Sequence, residues 1–259
     1  MLDRLRRWLR PDDDPGPEAL MARARAAFDA GDYDAAAAGW SRLAAAGHAR
    51  AMANLGGLHA EGLGLPREDA RALALFDRAA ALGDAVAAQN LALMHYQGRG
   101  TAPDAAAAAR WYAVAAEAGL AQAQDMLSHL LLTGEGGTVD EAGARRWAEA
   151  AAAQGVATAM TRLGQIHHDA RGVPRDPALA CQWFERAARA GDGEAQMMLG
   201  AACHLGVGVP ADQARALYWL DRARRAGVDA ALGFLAHVEE QVTLVERAEA
   251  AGWGPDGPP

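Results

Sequence analysis

Histidine, cysteine and carboxylate side chains are the groups in this chain suited to metal binding or acid–base work, and their spacing is regular. His59, His95 and His167 share one place in a 36-residue period, and Leu131 and Cys203 fill the same place in two further units. The densest local set is His167, His168, Asp169, Cys203 and His204. Zinc ligands must converge to about 2 Å from one ion. Residues one repeat apart on packed helices are separated by roughly 10 Å, so one register alone cannot build such a site. Neighbouring residues on a helix point apart, which leaves His168 and His204 as the pair able to face one groove. HHDA is not HExxH, whose histidines flank a glutamate one helical turn apart. No serine occupies a G-x-S-x-G elbow. EGLGLP and QGRGTA have the glycines of a phosphate cradle without its GK[ST] ending or a preceding strand. The histidines therefore read as core or groove positions, and the chain as no enzyme, with no catalytic residue, metal site or cofactor expected.

The elements that position these groups follow from the period. Closing glycines stand at Gly83, Gly119, Gly155, Gly191 and Gly227, and loop glycines at Gly64, Gly100, Gly136, Gly172 and Gly208. Leu55, Leu91, Leu127, Leu163 and Leu199 hold one register, and Ala51, Ala87, Ala123, Ala159 and Ala195 another. Trp111, Trp147, Trp183 and Trp219 recur in step, with Leu75 in their place in the first full unit. Each unit reads as helix A, a glycine-rich loop, helix B and a tight turn, the pattern of an α/α solenoid whose units bury their faces against neighbours. Ala79 and its equivalents follow the tryptophans by one helical turn. A large and a small residue on one face let helices interdigitate, so the tryptophans are expected in the core. The acids Glu68, Asp104, Asp140, Asp176 and Asp212 precede helix B and suit its free N–H groups. Gly62, Gly98, Gly134 and Gly206 are matched in the fourth unit by Ala170, where an ordinary backbone conformation is expected.

Composition narrows the partner. The formal net charge of -8, with 33 acids against 25 bases, argues against nucleic acid, which wants a basic stripe. Two cysteines, Cys181 and Cys203, do not make a disulfide framework and read as buried thiols. No apolar run suits a membrane span, and MLDRLRRWLR lacks the apolar region of a secretory signal, so a cytoplasmic location is expected. High alanine and arginine at the expense of lysine fit a GC-rich bacterial coding bias.

In order, residues 1–17 are a basic amphipathic segment and a Pro/Asp linker. In the segment Leu2, Leu5, Trp8 and Leu9 share a face beside Arg4, Arg6, Arg7 and Arg10, a pattern able to touch a membrane or a partner weakly. Residues 18–50 are an atypical capping repeat. Five full repeats occupy 51–227, divided as 51–86, 87–122, 123–158, 159–194 and 195–229. A single capping helix is expected over 230–250 and a disordered tail over 251–259, with Trp253 outside any register.

The motif A–x3–LG–x2–H/Y–x2–G–x–G–x3–D, then W, AA and G, is clearest in AMTRLGQIHHDARGVPRDPALACQWFERAARAG. It resembles the Sel-one-like repeat family, a branch of the tetratricopeptide-like helical repeats. The resemblance implies an all-α, right-handed superhelix that holds protein partners as a scaffold or adaptor. Some secreted relatives linked to β-lactams carry a cysteine pair in each repeat; this chain lacks it, and that activity is not carried over.

By the same resemblance helix A lines a concave face. Its variable positions are Arg50, Ala53, Gly57 and Ala60 in the first unit, Gln89, Leu93 and Tyr96 in the second, and Gln122, Asp125 and His129 in the third. Thr161, Gln165 and His168 follow in the fourth, and Glu194, Met197 and His204 in the fifth. Fixed positions hold the scaffold and varied ones are free to read a ligand, here a peptide or partner helix in the groove. An outer edge is the rival surface. A small-ligand or metal module built on His168, His204 and Cys203 is the rival function.

Overall fold

The computed structural model describes residues 16–254, 257 and 258; the basic segment expected at 1–10 lies outside them. The described residues form fourteen α-helices and no strand. Two compact units divide the chain, one ending at Ala118 and one beginning at Gly119. The first holds α1 (Pro17–Asp29), α2 (Tyr33–Ala45), α3 (Ala49–Glu61), α4 (Asp69–Ala81), α5 (Ala85–Gln97) and α6 (Ala105–Glu117). The second holds α7 (Ala121–Thr133), α8 (Glu141–Ala153), α9 (Ala157–His168), α10 (Pro177–Arg189), α11 (Gly193–Leu205), α12 (Gln213–Arg225), α13 (Ala231–Gln241) and α14 (Leu244–Gly252). Successive helices pack on one another within each unit as far as α13, α14 packs back on α12, and first helices of repeats also touch, α3 on α5 and α7 on α9. This is an all-α solenoid of tandem helix-turn-helix repeats.

One backbone bond closes the loop of all five repeats. The N–H of Glu68, Asp104, Asp140, Asp176 and Asp212 donates to the carbonyl of residues 59, 95, 131, 167 and 203, at 2.8–3.0 Å. The histidine register thus lies where helix A hands the chain to helix B. The four aspartates then accept from the third N–H of helix B, as Asp104 does from Ala107 at 2.8 Å. Glu68, one methylene longer, makes no such bond. In four repeats the loop glycine, Gly64, Gly100, Gly172 or Gly208, seats the loop on the repeat before it. Gly100 has φ 74° and a Cβ there would lie 2.6 Å from the Asp69 carbonyl oxygen; at Gly208, φ 77°, the Pro177 oxygen would be 2.2 Å away.

Arginine adds a staple that sequence reading did not anticipate. Arg99 reaches back to the Ala60 carbonyl at the end of α3 and to Asp69 at the start of α4, 2.9 Å away. Arg171 repeats the arrangement two repeats later, on the Leu132 carbonyl (2.9 Å) and Glu141. A cation at a helix C-terminus is favoured by the helix dipole.

Alanine and leucine registers are buried as expected, with Ala51, Ala87, Ala123, Ala159 and Ala195 at 0% exposure. The tryptophan register needs correction. Trp111, Trp147 and Trp183 are half-buried, and the core position is the next residue: Phe76, Tyr112, Ala148, Phe184 and Leu220. The small residue after each leucine receives it. A Cβ on Gly56 would stand 2.9 Å from the Phe76 ring, and one on Gly164 2.4 Å from Phe184. The third repeat reverses the sizes, Ser128 standing in register with Ala148, and Ser128 donates to the Ala144 carbonyl at 2.7 Å. The outer tryptophans take arginine instead, Arg146 lying 5.1 Å from Trp147 and Arg186 4.3 Å from Trp183. Trp219 alone is fully buried, with Gly257 against its ring.

Four further expectations change. Ala170 adopts φ 59°, the left-handed conformation of the glycines it replaces, so the bend is kept and the side chain bears the strain. In the third repeat Gly137, at φ 137°, and not Gly136 has the positive φ. The C-terminal cap is two helices, broken at Val242 and restarted by a capping box between Thr243 and Glu246. The expected disordered tail is partly docked: Trp253 packs edge-on to Tyr218 at 5.7 Å, whose hydroxyl donates to the Gly254 carbonyl at 2.6 Å.

Candidate partner-binding face

The variable face is carried by α3 and α5 in the first unit. Leu93 is exposed there, and Gln89 and Tyr96 are half-buried. A cleft of about 250 Å³ opens on this face, between Asn54, Gly57 and Glu61 of α3, Val86 and Asn90 of α5, and Arg25 and Phe28 of α1. Ala53 and Gly57, expected on this face, line it, whereas Gln89, Leu93 and Tyr96 do not. Arg50 and the buried Asp84 bridge the two helices at 2.7 Å.

In the second unit α7, α9 and α11 carry the face, and polar groups there tie helix to helix. Asp125 is 6% exposed and accepts from Thr158 at 2.7 Å and from Arg162 at 3.1 Å. Arg162 also lies 3.2 Å from His129 Nδ1, while His129 Nε2 lies 3.7 Å from Glu135. Burial, reinforced by the Arg162 charge, holds the His129 pKa below the ordinary histidine value. Thr161 is buried and donates to Asp192, the N-cap of α11, at 2.9 Å; Gln165 donates to Glu194 at 2.8 Å. Asp125, His129, Thr161, Gln165 and Glu194 are thus inter-repeat braces, whereas Gln122 is exposed.

His168 lines a second cleft, of about 230 Å³, with Phe184, Met198, Ala201, Leu205 and Phe234 among its walls. Its walls are almost wholly apolar, and Leu205 stands 62% exposed at its edge. Met198 takes part; the expected Met197 packs half-buried against the core. The signal was present in the sequence. Gly57, Leu93, His129, Gln165 and Ala201 share one register, and the two clefts open beside its two smallest members.

The rival metal constellation does not assemble. His168 Nδ1 lies 2.7 Å from Asp169, His204 Nδ1 lies 2.9 Å from Gln213, and Cys203 is fully buried. Among the described residues no three His, Cys, Asp or Glu side chains are placed to hold an ion. Burial pushes the Cys203 thiol up to about 11 and raises Cys181 as well, so neither supplies a thiolate at neutral pH.

Comparison with known proteins agrees with this architecture. The Sel1 repeat family model matches five successive stretches, residues 49–84, 85–120, 121–156, 157–192 and 193–228. Its units begin two residues before those read from the alanine register, at the starts of the A helices. A Sel1 repeat protein from Oxalobacter formigenes has a crystal structure similar over 91% of this chain and 97% of that one, with 27% identity and a TM-score of 0.80. A putative sel1 repeat protein from Klebsiella pneumoniae subsp. pneumoniae is 23% identical over 78% of this chain and 99% of its own, with a TM-score of 0.48. The antigen c5321 of uropathogenic Escherichia coli, displaying an SLR fold, is 23% identical over 91% and 67%, with a TM-score of 0.41. No curated protein matches. Five matched repeats cover well over half of the sequence, and the chain belongs to the Sel1 repeat family, within the tetratricopeptide-like helical repeats.

Proposed function

We propose that this protein is a non-catalytic adaptor that holds a peptide or protein partner along the face made by the first helices of its repeats. The observation that carries this reading is the placement of the clefts. Packing registers are constant from repeat to repeat, while the register of Gly57 and Ala201 varies, and the face is open where that register is small. A rigid array ordered beforehand loses little conformational freedom when it binds. Apolar side chains of an extended peptide or a partner helix fit clefts of this size and lining. The cytoplasm is part of the same proposal, supported by two unpaired buried thiols. Among the described residues no helix is long and apolar enough to cross a membrane.

The test fills the clefts. Gly57→Leu with Ala201→Leu is compared with the intact chain and with Ala74→Leu, an exposed site on α4, in affinity capture from native lysate after helicity and melting are matched. A protein held by the intact chain and the α4 control and lost by the filled variant is the expected result. Equal retention by all three moves binding to an outer surface.

A further inference from the structure

The chain carries more acids than bases, and its half-buried arginines are matched to them. Arg99, Arg145, Arg162, Arg171 and Arg215 each lie within 3.6 Å of a carboxylate oxygen. Arg222, in the last turn of α12, is half-buried as well and has no carboxylate partner among the described residues. Its Nη1 donates to the Tyr218 hydroxyl at 3.1 Å, its guanidinium lies 5.6 Å from the Tyr218 ring, and its Nε is buried without a partner. The dipole at a helix C-terminus favours cations. That accounts for Arg224 and Arg225, which are exposed and reach Asp221 at 2.7 and 2.6 Å. It does not account for a cation held against an aromatic ring, whose loss of water costs free energy until an anion meets it.

Arg222 lines a cleft of about 500 Å³ between α12, α13 and α14. Leu217, the Tyr218 ring, Leu235 and Trp253 give it an apolar lining. Its charged side chains are Arg222, Arg225 and Arg247 against Asp221 and Glu239. Asp221 is taken by Arg224 and Arg225. Arg247 is exposed, with Nη2 3.4 Å from the Glu239 carbonyl oxygen, and it too has no carboxylate partner among the described residues. One positive charge is left over in the lining, which suits a ligand with a single negative charge and disfavours a second.

We propose that this cleft binds a monocarboxylate with an aromatic or aliphatic body. The carboxylate accepts from the guanidinium of Arg222, with Arg247 as a second donor at the rim, and the body lies against Tyr218, Leu235 and Trp253. A guanidinium presents a planar fork of donors that matches a carboxylate. A free acid and the C-terminal carboxylate of a peptide share this chemistry, and the test separates them. The cleft has no lining residue in common with either cleft of the A-helix face, and either reading stands if the other fails.

Isothermal titration calorimetry of the full chain tests it with hydrocinnamate, the corresponding amide hydrocinnamamide, acetyl-glycyl-phenylalanine and phenyl phosphate. Saturable binding of hydrocinnamate or of the peptide acid is the expected result, with the amide inert. The tighter of the two carboxylates identifies the source, free acid or chain terminus. Arg222→Met keeps an apolar stem without the charge and is expected to weaken binding by about tenfold or more. Arg247→Met weakens it less. Arg186→Met removes a charge from α10, outside the cleft, and leaves the affinity unchanged. Helicity and melting of each variant are matched to the intact chain first, and the comparison of acid with amide needs no variant. Absence of saturable binding by both carboxylates overturns the proposal. So does an amide that binds as tightly as its acid, an affinity unmoved by Arg222→Met, or phenyl phosphate binding more tightly than either carboxylate.

Discussion

The A-helix faces of the two units are built from one repeat and hold together differently. In the first unit α3 and α5 are bridged by Arg50 and Asp84, with Arg50 more than half exposed, and a cleft opens beside them. In the second, α7 and α9 are joined through Asp125, Thr158, Arg162 and His129, and α9 and α11 through Thr161 with Asp192 and Gln165 with Glu194. The Arg162–Asp125 pair is 13% and 8% exposed. Polar residues on a variable face therefore have two fates. Where a partner one repeat away completes the bond, they become structure, and where the register shrinks to glycine or alanine, they border open space.

The comparison is sharpest at its two arginines. Arg162→Ala leaves Asp125 buried without its ion partner, a change that costs about 3–5 kcal/mol. Arg50→Ala removes a solvent-screened partner and is expected to cost about 1 kcal/mol or less. Urea unfolding of both variants checks the ranking; equal losses would show that the second unit is not braced through this pair.

Glycines on the two faces give the next largest effect. Gly164→Ala drives a methyl into the Phe184 ring and is expected to cost about 1–3 kcal/mol. Gly57→Ala meets nothing within 4 Å and is expected to stabilise by about 0.5–1 kcal/mol through backbone entropy. Thermal melts of opposite sign confirm that one glycine is packed and the other opens a cleft.

Ala170→Gly relieves the one left-handed non-glycine residue among those described and is expected to gain about 1 kcal/mol. Gly62→Ala, at the matching bend of the first unit, is expected to lose a similar amount. The smallest effect concerns pH. Folding holds the His129 pKa down, by burial first and by Arg162 second, so the unfolded chain binds the proton more readily. Stability is expected to be full above the ordinary histidine range and to fall as pH drops from about 6.5 toward the lowered value. Melting temperature followed across that window should show a slope that His129→Gln removes.

Much of the scaffold was legible because its contacts repeat. Ala51 and its equivalents and the leucines each satisfy a local need five times over, the capping aspartates do so four times, and the period exposes them. The tryptophans misled because Trp111 and Tyr112 are neighbours on a helix, and both keep the period; only packing decides which one turns inward. Asp125 and Arg162 lie 37 residues apart, so one sequence does not reveal that they meet. Ala170 marked a departure whose consequence was misread: the closing bond from Asp176 to the His167 carbonyl is made through a bend that an alanine can adopt at modest cost.

That closing bond, with the loop seated on the repeat before it, also governs how such a molecule changes its size. A residue added between helices A and B would pull the donor at the head of helix B away from its carbonyl and lift the loop from its seat. Whole cassettes, by contrast, bring both with them. Array length is therefore quantised: a lineage can duplicate or delete 36 residues at once and keep each remaining joint intact, while single-residue drift inside the joint is resisted five times in the same molecule.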